Sequence, residues 1–79
     1  MPYDQTLDVE SFKETKEFGD TRITVGVFSY RGGEKKLQLS RENKDRMEEW
    51  RFAKLGRMTK QEVQEIVPLM MTAIERMQA

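Results

Sequence analysis

Phe28 and Tyr30 stand two residues apart in a run of strict alternation, Arg22 to Tyr30, and Lys36 and Gln38 repeat that spacing beyond a pair of glycines. In an extended strand, residues two apart point to the same side. The spacing therefore sets two rings and two hydrogen-bonding side chains on shared faces. Flat rings give unpaired bases a surface to stack on, and neighbouring lysines or arginines attract phosphate. Together these are the chemistry of a single-stranded nucleic-acid surface, on which each stacked base is worth about 1–3 kcal/mol. Arg22, Lys35, Trp50, Arg51, Phe52 and Lys54 extend the same set of candidate binding residues.

The charge distribution points the same way. The chain of 79 residues carries 14 basic and 14 acidic side chains and is formally neutral. Residues 21–60 nevertheless hold eleven bases against five acids, a net charge of +6, together with four of the seven aromatics. The flanks are acidic, at −4 over residues 1–20 and −2 over residues 61–79. A basic, aromatic middle on a neutral scaffold suits a polyanion.

Several function classes are disfavoured by what the composition lacks. There is no cysteine and no histidine, so there is no disulfide framework and neither of the two commonest side chains for a zinc site. No glycine-rich phosphate loop, Gly-x-Ser-x-Gly motif or paired-acid constellation is found. A binding protein with no catalytic residues, no cofactor and no metal is expected. The first twenty residues are acidic and have no apolar core segment, and no apolar run approaches the roughly 20 residues of a membrane span. An intracellular, cytoplasmic protein is expected, and nucleoid association is compatible with it. A domain this small buries only roughly 60 % of the surface exposed by its unfolded chain, so oligomerisation is the expected reinforcement.

The elements that must position these side chains follow from periodicity. Residues 1–10 read as an acidic arm, in which Leu7 and Val9 could also begin a strand. Residues 11–79 read as one domain. Charged and apolar residues alternate from Phe12 to Phe18, Gly19-Asp20 supplies a turn, and Arg22 to Tyr30 is the clearest strand, rich in β-branched and aromatic residues. Lys35 to Arg41 returns. A two-residue Gly32-Gly33 turn would place Phe28 opposite Leu37 and mix polar with apolar residues on both faces. A three-residue loop, Gly32-Gly33-Glu34, pairs Val27 with Leu39 and Ser29 with Leu37. That register gathers Ile23, Val25, Val27, Leu37 and Leu39 on one side, leaving Arg22, Thr24, Phe28, Tyr30, Lys36, Gln38 and Ser40 on the other, and is preferred. Arg31-Gly32-Gly33 is a turn and not a nucleic-acid motif of the Arg-Gly-Gly type.

Asn43 to Glu49 reads as a charged, mobile connection, and Trp50 to Leu55 as a fourth strand ended by Gly56. Two orientations fit that strand. Ala53 and Leu55 face the core while Trp50, Phe52 and Lys54 join the aromatic face, or the reverse. Thr59 and Glu62 have capping-box spacing, so a helix is predicted from Lys60 over about 18 residues, or about 27 Å. Pro68 predicts a kink or break near Gln64. Val63, Ile66, Val67, Met70, Ile74 and Met77 form an apolar stripe that Leu69, Met71 and Ala73 widen beyond the needs of one small sheet. A dimer seam along the helix is predicted. The fold expected is α+β: a four-stranded, twisted antiparallel β-meander followed by one C-terminal amphipathic helix, dimerising.

The order of four strands and a helix, joined by Lys54-Leu55-Gly56-Arg57-Met58-Thr59-Lys60-Gln61-Glu62-Val63, resembles a known family. It is similar to the transcriptional coactivator positive cofactor four and its bacterial and phage relatives, the Whirly-like single-stranded-DNA binders. Lys54, Gly56, Met58-Thr59, Glu62 and Val63 carry the likeness, which spans residues 11–77. The resemblance implies a homodimer packed through its helices, holding single-stranded DNA on its sheets with little sequence preference, in transcription or DNA-metabolism regulation. It places Phe28, Tyr30, Lys36, Lys54, Trp50 and Phe52 on the binding strands. Purine-rich-element-binding proteins share a similar element order, so the resemblance leaves DNA and RNA both open as the single-stranded partner. The alternative reading is a protein-interaction module, in which Phe28, Tyr30 and Trp50 form a partner-binding patch.

Overall fold

The structure is a computed structural model and describes residues 8–77. Four strands, β1 (Asp8–Phe18), β2 (Thr21–Tyr30), β3 (Lys36–Lys44) and β4 (Trp50–Ala53), precede one helix, α1 (Lys60–Met77). The strands form a single antiparallel meander in the order β1-β2-β3-β4. The α+β class, the meander and the single C-terminal helix are as predicted.

Register sorts the side chains. Phe12, Val27 and Leu37 form one row across the sheet, and Val25 pairs with Leu39. Ile23, Val25 and Val27 are fully buried and pack with Ile66 and Ala73 of α1, while Phe12, Phe18, Leu37, Leu39, Leu69, Met70 and Met77 close the cluster. Alternation sends Arg22, Thr24, Gly26, Phe28 and Tyr30 to the opposite face, which α1 leaves uncovered.

Neither predicted β2–β3 register is the one formed. Val27 pairs with Leu37 and Phe28 with Lys36. The turn is Arg31-Gly32, both at positive φ (55° and 70°), closed by the Gly33 amide donating to the Tyr30 carbonyl at 2.9 Å. The preferred register was displaced by two residues, an even number, so every side chain keeps its assigned face. The first hairpin turns on Gly19-Asp20 as predicted, with φ of 66° at Gly19, a value that glycine adopts without steric cost.

Several boundaries differ. Residues 8–10, read as the end of the acidic arm, pair with β2, and a bulge at Ser11 separates them from the rest of β1. The remainder of the arm, Leu7 included, lies outside the described residues. β3 runs on to Lys44, and the charged connection shrinks to Asp45–Glu49. There the Asp45 carboxylate accepts from the Met47 and Glu49 amides at 2.8 and 3.0 Å, and the backbone pairs Asp45 with Glu49. The loop expected to be mobile is a hydrogen-bonded turn. β4 ends at Ala53, two residues early. The helix does not break: α1 continues through Pro68 as one element. Gln64 and Pro68 are both exposed, so water can serve the carbonyl that proline leaves without a donor.

The capping box forms as the sequence predicts. The Thr59 amide donates to Glu62 Oε1 at 2.9 Å, and the Glu62 amide donates to Thr59 Oγ1 at 3.2 Å. The same Glu62 carboxylate receives Arg41, through Nη1 to Oε2 at 3.0 Å and Nη2 to Oε1 at 2.9 Å. Arg41 also donates to Thr21 Oγ1 and to the carbonyls of Leu55 and Arg57. One guanidinium thus ties β2, β3, the β4–α1 connection and the helix N-terminus together.

Candidate nucleic-acid interface

The uncovered face of the sheet is built in rows. Glu10, Phe28 and Lys36 form one; Lys13, Gly26 and Gln38 the next; then Thr15, Thr24 and Ser40; then Glu17, Arg22, Glu42 and Phe52; and Lys44 with Trp50 last. Aromatic rings thus occupy both ends of the face, Phe28 and Tyr30 at one and Trp50 and Phe52 at the other. Six residues of β2 separate Phe28 from Arg22, a rise of about 20 Å. Between them lies a floor of small polar groups, where the Thr15 and Thr24 hydroxyls bond at 2.9 Å.

At the first end the backbone shapes the ring. A Cβ built on Gly26 would lie 2.5 Å from Phe28 Cε2 and 3.0 Å from Cζ. The Phe28 ring therefore lies down over Gly26, in space that only a residue without a side chain leaves open. Phe28, Tyr30 and Leu37, with Glu34, Lys36 and Gln38, line a cleft of about 330 Å³. Arg31 stands over the Tyr30 ring at 5.5 Å.

At the second end cations crowd one ring. The Arg22 guanidinium lies 4.4 Å from the Trp50 ring centroid and Lys44 Nζ lies 5.2 Å from it, distances at which the π face attracts positive charge. Arg22 is also held by Glu42, Nε to Oε1 at 2.7 Å, with both side chains partly exposed. Phe52, across from Glu42, is 84 % exposed. Of the two orientations open for the fourth strand, the one that turns Trp50 and Phe52 to the aromatic face is formed.

Not every predicted residue joins this face. Arg22, Phe28, Tyr30, Lys36, Gln38, Trp50 and Phe52 do. Lys35 instead donates to the Arg76 carbonyl at the end of α1 (3.2 Å), where a cation complements the helix dipole. Arg51, paired with Asn43 on the helix side of the sheet, bonds Asp45 at 2.9 Å and reaches Glu49 at 3.5 Å. Lys54 is exposed just beyond the end of β4. Lys44 and Glu42 belong to the face and were not among the predicted residues. The period-two continuation of Lys36 and Gln38 through Ser40 would have found them, had β3 not been ended at Arg41.

The predicted seam divides similarly. Ile66 is 1 % exposed and belongs to the core, with Met70 and Met77 packed against it. Val63, Val67 and Ile74 are exposed, as is Met71. Successive steps of three and four residues keep these four on one flank of α1.

Two carboxyls are perturbed, both for structural reasons. The hydrogen bond from Arg41 holds Glu62 below the ordinary glutamate range, and Glu62 in turn raises Arg41. The backbone bond from Glu49, then the Arg51 side chain, lowers Asp45. Among the described residues no group of three or more His, Cys, Asp or Glu side chains could hold a metal ion, and no helix is long and apolar enough to cross a membrane.

Comparison with known proteins gives no match. No family model, curated protein or solved structure is significantly similar to the chain. The fold and the open face therefore carry the functional argument.

Proposed function

We propose that this protein binds single-stranded nucleic acid, DNA foremost, on the open face of its sheet, as a homodimer and without catalysis. The observation that carries the reading is the gathering of four rings, Phe28, Tyr30, Trp50 and Phe52, on the one sheet face that no helix covers. A strand phenylalanine left 84 % exposed gains nothing from the core, and a base stacking on it would remove that surface from water. Arg22, Lys36 and Lys44 stand beside the rings to follow the phosphates. Transcription or DNA-metabolism regulation is the setting that the resemblance to the positive-cofactor-four family suggests. The exposed flank of α1 is the surface offered for the second copy.

One observation favours a second reading, a protein-interaction face. Glu10, Glu17 and Glu42 share the rows of the rings, so the face carries mixed charge.

Salt separates the two readings. Fluorescence-anisotropy titrations of labelled single-stranded and duplex oligonucleotides, at two salt concentrations and with Trp50 emission followed, should give salt-sensitive preference for the single strand and quenching. Changing Lys36 and Lys44 together to glutamate should abolish binding and leave the melting temperature nearly unmoved. Absence of binding at low salt would overturn the proposal, because counterion release makes low salt the most permissive condition.

A further inference from the structure

The cleft at the β2–β3 end of the face holds one residue that phosphate binding does not explain. Glu34 lines it together with Lys36, Gln38, Phe28, Tyr30 and Leu37. An acid on a face that attracts a polyanion opposes the backbone unless some part of the ligand uses it. Neither Glu34 nor Lys36 makes an ion pair among the described residues. At about 330 Å³ the cleft is at the small end of the range for ligand sites, roughly 300–1,000 Å³. That suits one nucleotide-sized group, with the rings of Phe28 and Tyr30 for stacking and polar side chains beside them.

We infer that this cleft is a base-selective subsite that takes an unpaired guanine, read by Glu34 and Lys36. The inference rests on the nucleic-acid reading above. The Watson–Crick edge of guanine presents one acceptor, O6, and two adjacent donors, N1–H and N2–H. A carboxylate has two acceptor oxygens to meet adjacent donors, and an ammonium can only donate, so Glu34 accepts from N1–H and N2–H while Lys36 donates to O6. The other bases fail this pattern. Thymine and uracil place a carbonyl on each side of their single N–H, and that second carbonyl would face the carboxylate. Adenine and cytosine present a ring nitrogen that only accepts. Unstacked bases are ordinarily read on this edge while their faces stack on aromatic side chains, and Phe28 beside the cleft supplies such a face.

The test sets base identity against charge. A labelled oligothymidine, the same oligomer with one central deoxyguanosine, and the same with inosine at that position are titrated into the full chain and into Glu34→Ala. Inosine lacks the 2-amino donor. Glu34 is exposed in the β2–β3 connection, so the variant should fold, and its circular dichroism checks this. One deoxyguanosine should tighten binding by about tenfold, the worth of about one charge-assisted hydrogen bond, and inosine should lose most of the gain. Glu34→Ala should bind plain oligothymidine as well as or better than the parent, since a negative charge is gone, and should lose the guanine preference. Equal tightening of all three oligomers by Glu34→Ala would overturn the subsite and leave the binding face intact. Failure of every oligomer to bind the parent would overturn the face and the subsite together.

Discussion

Arg41 of β3 and Glu62 of α1 meet through two hydrogen bonds, 3.0 and 2.9 Å long, with Glu62 only 5 % exposed. The carboxylate that caps the helix is thus the one that neutralises an arginine on the core side of the sheet. Glu62→Ala leaves that guanidinium without its counter-charge and opens the capping box. A loss of about 3 kcal/mol is expected, from a domain whose whole stability is only about 4–12 kcal/mol. Urea denaturation measures it, and an unmoved midpoint would show that the pair contributes nothing.

The same pair sets a pH dependence. Glu62 is lowered in the folded state, chiefly by Arg41, so on acidification the unfolded chain takes up its proton first. The stabilisation is complete above the ordinary glutamate range of about 4.3 and fades as pH falls below it. Melting temperature should be flat near neutrality and fall in acid, and Glu62→Gln should start lower at neutrality and flatten the acid limb. Partly exposed Asp45 shifts in the same direction and adds little, because solvent screens it.

Phe28 and Gly26 give a cleaner functional variant. A methyl at position 26 collides with the far end of the ring, which can swing away. Gly26→Ala should therefore change stability by less than about 1 kcal/mol yet weaken single-strand binding by up to about tenfold, since one stacked base is worth about 1–3 kcal/mol. Parallel melting and anisotropy measurements separate these effects. Unchanged affinity would remove Phe28 from the binding surface.

On the proposed binding face, Glu42 would compete with phosphate for Arg22. Glu42→Gln should free the guanidinium from its 2.7 Å partner, tighten single-strand binding and steepen the log–log salt slope by about 0.7, one phosphate contact for a single strand. Weaker binding in this variant would mean that Glu42 positions Arg22 for the ligand.

Two isoleucines on one helix set the core against the proposed seam. Ile66 is buried and Ile74 is 51 % exposed. Ile66→Asp should unfold the chain, because it buries an unpaired charge. Ile74→Asp should melt within a few degrees of the parent and sediment as a monomer. A stable dimer of Ile74→Asp would place the seam elsewhere.

Much of this architecture is legible in the sequence because parity is robust. Period-two alternation from Arg22 to Tyr30 and the spacing of Leu37 and Leu39 assign faces, and a register error of two residues leaves those assignments intact. Strand ends are less legible. Arg41 continues the Leu37–Leu39 series onto the core side, where an arginine requires a carboxylate, and Glu62 at the start of the covering helix supplies it. That inference needs the helix to be placed on the sheet, which local periodicity does not provide. Lys35 and Arg51 were misplaced for the opposite reason. Their charge suggests the proposed ligand face, while their partners are the Arg76 carbonyl, which the tertiary fold brings near, and Asp45, across the β3–β4 turn.

The covering helix comes after all four strands in the chain. During folding the sheet can pair while Ile23, Val25 and Val27 still lack Ile66 and Ala73, and a helix of 18 residues that carries a proline is too weak to form in advance. Until α1 docks, a paired sheet is bare on both faces, and exposed apolar surface of that kind favours association. Docking of residues 60–77 is therefore the step that closes the apolar side of the sheet.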